Sequence, residues 1–203
     1  RDQLEKQRQD ILVSLKVADE FLTSCERLSD RPQCDVMQIE TLPERRAIIF
    51  DVPEQDPNGP EPLCVQWEPI RKLIKQEICA RNLPISLYRN VGRIITADRL
   101  AERDLRFNKA YVFVDESFGE LFHQAEIVRG GEYLTLYSEH CINVEMGNKD
   151  TERALIAEMI EHAQREGYVI DGDYIDDVVA ETPAFNFESR DAFFRLCLPV
   201  RKA

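Results

Sequence analysis

Residues 170–200 read IDGDYIDDVVAETPAFNFESRDAFFRLCLPV, a pattern that predicts two strands joined by a polar connection with one proline. The strands cover about 174–180 and 192–199, because β-branched and aromatic residues dominate both segments. Side chains alternate between the two faces of a strand, so Asp176 and Asp177 point in opposite directions. At least one of these carboxylates must lie among apolar side chains, where an ionised group without a partner is costly. Such a residue is either structural or placed to meet a cationic ligand.

The 203-residue chain carries a formal net charge of −12 and 43% hydrophobic residues. This length and apolar content are typical of one globular domain, alone or with an appendage. The acidic balance argues against nucleic-acid binding by this segment itself, because phosphate contacts need a basic surface. It favours a soluble protein whose ligands are cationic.

The six cysteines and three histidines form neither a CxxC pair nor a metal-ligand pattern. Buried free thiols in a reducing cytoplasm are the favoured interpretation, and we expect no metal and no cofactor. No secretory signal is visible and no apolar run is long enough to span a bilayer, so we expect no membrane partner. The sequence begins with Arg1 rather than Met, and we expect a further segment upstream.

Residues 3–28 predict a helix whose apolar stripe follows heptad spacing, broken only by Arg8. The helix either lies on its own domain or forms a dimerising coiled coil. The second interpretation is favoured because the helix leads the chain and its stripe spans only a few heptads. We therefore expect residues 1–30 to be a coiled-coil helix that makes the chain a homodimer. The stripe contains Leu4, Arg8, Ile11, Leu15, Ala18, Leu22 and Cys25.

The rest of the chain predicts an α+β fold of two strand–helix–strand–strand units, about 35–118 and 119–203. Corresponding elements of the two units are offset by 84 to 86 residues. Two such units pair their sheets about a pseudo-twofold axis, with the helices on one face and a concave saddle as the natural site. The predicted helices are 67–81 and 150–165; the predicted strands are 36–41, 46–52, 85–88, 92–96, 108–115, 124–128, 132–137, 174–180 and 192–199.

The order of elements and three strings, VGRIIT (91–96), GDYI (172–175) and FFRLCLPV (193–200), carry a resemblance that covers residues 4–200. The sequence resembles the effector-binding half of MerR-family transcription regulators, a half that belongs to the GyrI-like superfamily. The resemblance implies a GyrI-like effector-binding domain over 35–203, which senses a lipophilic, cationic small molecule. DNA would be bound only through a winged helix-turn-helix domain absent from this chain. The implied mechanism is allosteric, with ligand binding changing the geometry of the DNA-binding heads through the dimer.

In that family an acidic residue on the strand after the second helix meets the cationic ligand, and the matching position here is Asp177. The family residue is usually glutamate, which is one methylene longer. Arg195 falls where many GyrI-like chains carry a glutamate. It either pairs with Asp177 or Asp176 as a structural ion pair, or makes the site bind an anionic group. The charged run 44–46 is interpreted as solvated. The predicted ligand-binding residues are Asp177, Val179, Tyr133, Tyr137, Phe194, Tyr88, Tyr111 and Arg195.

Catalysis has less support, because the sequence has no Gly-rich phosphate loop, no GxSxG elbow and no HExxH motif. Some GyrI-like proteins hydrolyse reactive small molecules with acidic and aromatic pocket residues, and Glu132, Glu145 or Asp177 would serve that role here. We expect a non-enzymatic ligand sensor, with a GyrI-like small-molecule hydrolase as the alternative.

Overall fold

The structure is a computed structural model that describes residues 4–5, 7–8, 11–12, 15, 19, 22–23, 26, 33–53, 63–83, 87–88, 91–141, 151–181 and 191–203. Every described residue between 4 and 26 is helical, and this helix is called α1. Among the described residues, no helix is both long enough and apolar enough to cross a membrane. The further elements are β1 (Met37–Leu42), β2 (Arg45–Asp51), α2 (Leu63–Ala80), β3 (Val91–Ile95), α3 (Ala97–Ala101), β4 (Lys109–Val114), a 3-10 turn (Glu116–Phe118), α4 (Glu120–Gln124), β5 (Glu126–Val128), β6 (Gly131–Cys141), α5 (Thr151–Arg165), β7 (Tyr168–Ile170), β8 (Tyr174–Glu181) and β9 (Asp191–Lys202).

The strands form one curled antiparallel sheet in the order β1-β6-β9-β8-β3-β4-β2-β5, with β7 added to β9. One unit consists of β2, α2, β3 and β4, and the other of β6, α5, β8 and β9. The middle strands β3 and β8 pair with each other at the centre. Outward from that pair the order is symmetric, with β4 opposite β9 and β2 opposite β6. The predicted α+β fold with a repeated strand–helix–strand–strand unit is confirmed.

The two edge strands are exchanged between the units. β1 precedes β2 in the chain but pairs with β6, and β5 precedes β6 but pairs with β2. The links between these consecutive strands, residues 43–44 and 129–130, each connect opposite ends of the sheet. A link of this length reaches at most about 11 Å from strand to strand, so the sheet must curl until its two ends approach. The links touch at Gly130, where an added Cβ would lie 2.5 Å from the backbone nitrogen of Glu44.

Both long helices cover the same side of the sheet, which we call the helix face. Ile70, Ile74 and Ile78 recur on α2 at helical spacing and are buried. They belong to the same apolar cluster as Ile156 and Met159 of α5. The alternation of side chains along β2, β4, β6 and β9 supplies the sheet's half of this cluster, which is the main core of the protein.

The opposite side of the sheet, called the inner face, is buried by the curl rather than by α2 or α5. No residue of either helix belongs to the described apolar cluster on this side. Tyr111 and Cys197 are nevertheless completely buried there. The buried members of the cluster are Leu42, Ala47, Ile94, Tyr111, Tyr133, Ile175 and Cys197.

Short elements differ from the sequence-based prediction. The pattern predicts an extended segment over 85–88, but Leu87 and Tyr88 form a 3-10 turn, and residues 85–86 lie outside the described part. The strand predicted over 124–128 begins at Glu126, because the five-residue helix α4 occupies the residues before it. The strand β7 is not predicted, since three residues carry too little alternation to reveal a strand.

Candidate functional site

Asp177 lies on the inner face, where its side chain is 10% exposed. Arg45 Nη1 donates to Asp177 Oδ2 at 3.0 Å, and Arg195 Nη2 donates to the same oxygen at 2.5 Å. The Tyr111 hydroxyl donates to Oδ1. Burial opposes ionisation of Asp177, but the two guanidiniums and the hydroxyl outweigh it and hold the pKa of Asp177 below its ordinary value. Asp177 is therefore an ionised carboxylate whose charge is already met by two arginines.

Tyr111 reaches Asp177 across an intervening strand. β3 lies between β4 and β8, and Gly92 of β3 is the register partner of both Tyr111 and Asp177. A Cβ at position 92 would lie 2.1 Å from Tyr111 Cζ, so the missing side chain makes room for the ring. The hydroxyl also donates to the backbone oxygen of Asp176 at 2.7 Å. The glycine of the VGRII strand is thus what allows the phenol to meet the carboxylate.

Arg45 enters the site from β2, beside the short link that joins the two ends of the sheet. Its guanidinium carbon lies 3.8 Å from the centre of the Phe113 ring, which is a cation–π contact. Its side chain is 24% exposed. The interpretation of residues 44–46 as a solvated charged run is therefore wrong at Arg45. The spacing along the strand could have revealed this, because Arg45 lies two residues before the inward-facing Ala47 and therefore shares its face.

Arg195 links Asp177 to a second acidic residue. Arg195 Nη1 lies 4.0 Å from Glu40 Oε2, and the Tyr137 hydroxyl donates to the same oxygen at 3.3 Å. Tyr137 stacks on Phe193 with ring centres 5.7 Å apart. The charges on this part of the inner face therefore alternate along the line Arg45, Asp177, Arg195, Glu40 and cancel in sum.

Most of the predicted site residues face inward, but two do not. Phe194 is buried in the cluster on the helix face, and Tyr88 packs against that same cluster, so their prediction as saddle residues is corrected. Phe194 precedes Arg195 on a strand and must point the opposite way, and Phe193 takes the inward position. The residues that the structure brings to the inner face are Asp177, Tyr111, Tyr133, Tyr137, Arg195 and Val179.

Tyr133 and Val179 contribute surface rather than charge. The Tyr133 hydroxyl donates to the backbone oxygen of Arg129 at 2.6 Å and so is turned away from Asp177. Val179 packs against Tyr137 and Phe193. It lies at a register shift between β8 and β9, where the extra residue of a β-bulge re-aims the strand.

Asp176 faces the helices and belongs to a different network. Arg93 donates to Asp176 from its backbone nitrogen at 2.6 Å and from Nε at 2.8 Å, and Nη2 donates to Glu152 of α5 at 2.5 Å. The guanidinium lies over the ring of Phe107. Burial raises the pKa of Asp176 to about 7, with Arg93 opposing the shift and Glu152 adding to it. The two neighbouring aspartates thus have opposite pKa shifts, and Asp176 ties β8 to α5.

Two cavities lie apart from Asp177, Arg45 and Arg195. One of about 190 Å³ is lined by residues of α3 and α5, and one of about 340 Å³ lies beside β2 and α4. The described residues include no group of three or more His, Cys, Asp and Glu side chains that would hold a metal ion. The charged cluster of the inner face is therefore the strongest candidate for a functional site.

No family model and no curated protein matches the sequence. A cryo-EM structure of the EcmrR–DNA complex matches with a TM-score of 0.51 and 13% identity, over 100% of this chain and 70% of that chain. A hydrolase from Listeria innocua gives 0.43 and 15%, over 88% and 98% of the two chains. SAV2435 bound to tetraphenylphosphonium gives 0.40 and 11%, over 82% and 94%. The EcmrR match shows that the two chains share a fold, with a curled antiparallel sheet and few helices.

Proposed function

We propose that this chain is the ligand-sensing part of a MerR-type transcription regulator. The observation that carries the proposal is the inner face, where Asp177, two arginines and aromatic side chains from both units converge. The shared fold with EcmrR, which covers this whole chain and 70% of that one, is consistent with an effector domain beside a separate DNA-binding domain. DNA is bound through that further domain, and the ligand is a small lipophilic molecule.

Ligand binding at the inner face is relayed to the rest of the molecule through β8. Asp177 and Asp176 are consecutive residues of this strand, and Asp176 is held by Arg93, which also binds Glu152 of α5. A ligand that moves Asp177 would therefore also shift Asp176 and, through Arg93, the contact with Glu152 of α5. Such a relay requires that the ligand binds one of two conformations better than the other.

The proposed sensor acts as a homodimer formed through α1. The described residues of α1 expose Leu4, Ile11, Leu15 and Leu22, each at 58% or more. Their spacing follows heptads, and the same stripe on a second copy would cover them. The dimer is then the element through which a change in one domain reaches a paired DNA-binding domain.

Hydrolysis of a small molecule is the alternative, and the geometry favours it less. A general base works best with a pKa near the working pH. The arginines hold the pKa of Asp177 below its ordinary value, so its carboxylate is a weak base. Glu132 is exposed on β6, and Glu145 lies outside the described residues. The TM-score of 0.43 with the Listeria innocua hydrolase is too low to support catalysis by this chain.

The experiment is a thermal-shift titration with aromatic probes of positive, zero and negative charge, in which the probe is also quantified over time by chromatography. Tetraphenylphosphonium, the ligand bound to SAV2435, is the cationic member and tests the cation expected from the sequence. A sensor is stabilised saturably by at least one probe and leaves it unchanged; binding at 100 times Kd adds about 2.7 kcal/mol. Catalytic loss of a probe identifies a hydrolase, and the absence of binding to every probe contradicts the proposal.

A further inference from the structure

The inner face offers more hydrogen-bond donors than acceptors. Each guanidinium carries five N–H donors in a rigid fork. Arg45 directs one of them to Asp177, and Arg195 directs one to Asp177 while lying near Glu40. The Nε atoms of Arg45 and Arg195 are buried and have no hydrogen-bond partner among the described residues. Buried donors without partners are unfavourable, so the site is incomplete in a way that an acceptor would correct.

Asp177 has little acceptor capacity left for a cation, because three of its about four lone-pair sites are already used. Oδ2 accepts from both guanidiniums and Oδ1 accepts from Tyr111. A cationic ligand that needs more than the remaining site would have to displace Arg45 or Arg195 from the carboxylate. The displaced guanidinium, whose side chain is no more than 24% exposed, would then be left without its counter-charge.

An anion meets the opposite situation. It adds a second acceptor to the two arginines and need not remove Asp177 from them. The Arg45 and Arg195 side chains keep 24% and 21% of their surface exposed, so a ligand from solvent reaches the guanidiniums, whereas the buried Nε donors meet it only when the side chains turn. Planar, bidentate recognition of a carboxylate is the geometry for which the guanidinium fork is suited.

Aromatic rings flank both arginines and define the body of the ligand. Phe113 lies beneath the guanidinium of Arg45. Tyr137 is the register partner of Arg195 and stacks on Phe193. Tyr137 and Phe193 are buried, whereas Phe113 is partly exposed, so an aromatic ligand next to the charged group would pack against Phe113. We infer that the inner face binds a planar aromatic carboxylate rather than a lipophilic cation, an inference that rests on the proposed ligand-sensing function.

Three fluorescent probes with one aromatic body test the inference: naphthalene-2-carboxylate, naphthalene-2-carboxamide and 2-naphthylmethylammonium. Affinities are measured by titration calorimetry at pH 7.5 and low ionic strength. The carboxylate should bind at least tenfold more tightly than the ammonium, with the amide between them. Arg45→Gln and Arg195→Gln should each weaken carboxylate binding tenfold or more. Asp177→Asn should keep or strengthen it, because the variant removes the carboxylate that competes for the two arginines.

Arg46→Gln is the matched control, since Arg46 is the neighbour of Arg45 but bonds the backbone oxygen of Ala125 and stacks near Phe122. It removes the same charge without touching the inner face and should leave carboxylate affinity unchanged. Arg195→Gln leaves the buried charge of Asp177 with Arg45 alone and could unfold the protein. In that case the double variant Arg195→Gln/Asp177→Asn removes both charges together. It should still lose at least tenfold in carboxylate affinity relative to Asp177→Asn.

Each other outcome counts against the inference in a distinct way. Tighter binding of the ammonium, lost in Asp177→Asn, overturns the anion preference and leaves the sensor proposal standing. Carboxylate binding that none of the arginine variants weakens places the anion elsewhere and overturns the assignment of this site. Binding of none of the probes by the folded protein overturns both the inference and the proposed sensing of aromatic ligands.

Discussion

The hydroxyls of Tyr111 and Tyr174 are both buried, yet their surroundings differ. Tyr111 donates to Asp177, whereas the Tyr174 hydroxyl has no partner among the described residues. Tyr111→Phe should lower the free energy of unfolding by about 1–3 kcal/mol, because it leaves a buried carboxylate oxygen without its donor. Tyr174→Phe should change it by less than about 0.5 kcal/mol or stabilise the protein. Urea denaturation of the pair measures both, and equal losses would mean that the Tyr111 bond adds nothing.

Asp176 should make stability depend on pH in the mildly acidic range. Its folded-state pKa of about 7 lies above the ordinary 3.8, so between those values the folded protein holds a proton that the unfolded chain releases. The free energy of unfolding should therefore fall as pH rises from about 4 to about 7, by a few kcal/mol at most, and then level off. Asp177 has a lowered pKa, so its contribution is lost only below about pH 4 and leaves this window unaffected.

Asp176→Asn separates this effect from other titrating groups. The variant leaves Arg93 paired with Glu152, one charge of each sign, and should remove most of the slope between pH 4 and 7. The measurement is a series of urea denaturation curves at pH 4.5, 5.5, 6.5 and 7.5. A slope that is the same in the wild type and the variant would assign the pH dependence to other residues.

The sequence predicts which polar residues belong to the site better than it predicts how they are arranged. The adjacent aspartates of β8 indicate a buried carboxylate, and Arg195 is recognisable as a possible partner on the next strand. Arg45 is missed because 132 residues separate it from Asp177 and only the curl of the sheet brings the two together. Phe194 is misplaced because a shift of one residue in a strand reverses the face, and the bulge at Val179 disturbs the pairing beside it.

The packing of the central strands depends on Gly92 of β3, which lies between Tyr111 of β4 and Asp177 of β8. In Gly92→Ala the new Cβ would lie 2.1 Å from Tyr111 Cζ and 2.2 Å from the backbone oxygen of Asp176. The β3 strand or the ring must then move, and the free energy of unfolding should fall by about 3 kcal/mol, at the upper end of overpacking costs. Thermal or urea denaturation measures the loss.

Gly119→Ala is the control for the added methyl group. Position 119 has φ of 58° and ψ of −121° but no atom within 4 Å of a new Cβ, so its cost comes from the backbone alone, about 1–3 kcal/mol. A loss below about 1 kcal/mol in Gly92→Ala would show that Tyr111 does not need the space that Gly92 leaves on β3.

The elements divide by length in how well the sequence predicts them. Helices α2 and α5 and the long strands repeat their apolar residues often enough for the period to be read. The five-residue helix α4 and the three-residue strand β7 do not. The exchange of β1 and β5 is not written in any local pattern either, because each is joined to the strand beside it in sequence by a link short enough for a hairpin.

The closed curl of the whole sheet explains why the site draws on both units. Residues 43–44 and 129–130 hold the ends of the sheet together. That closure brings Arg45 of β2 and Glu40 of β1, at opposite ends of the strand order, to the same charged line as Asp177. Neither unit alone contains the cluster, so duplication of the unit by itself does not create the site.

The exposed apolar stripe of α1 predicts that two copies of the chain form a dimer. Fully burying each leucine or isoleucine of the stripe contributes about 1.5–3 kcal/mol. A second copy of α1 would cover Leu15, now 59% exposed, together with Ile11 and Leu22. Leu15→Glu should therefore convert a dimer into a monomer, because the charge would be buried at the seam. Glu26→Gln, in the same helix, should leave the dimer intact. Sedimentation equilibrium measures the assembly. A monomeric wild type, or a Leu15→Glu variant that still dimerises, would contradict a dimer interface formed by α1.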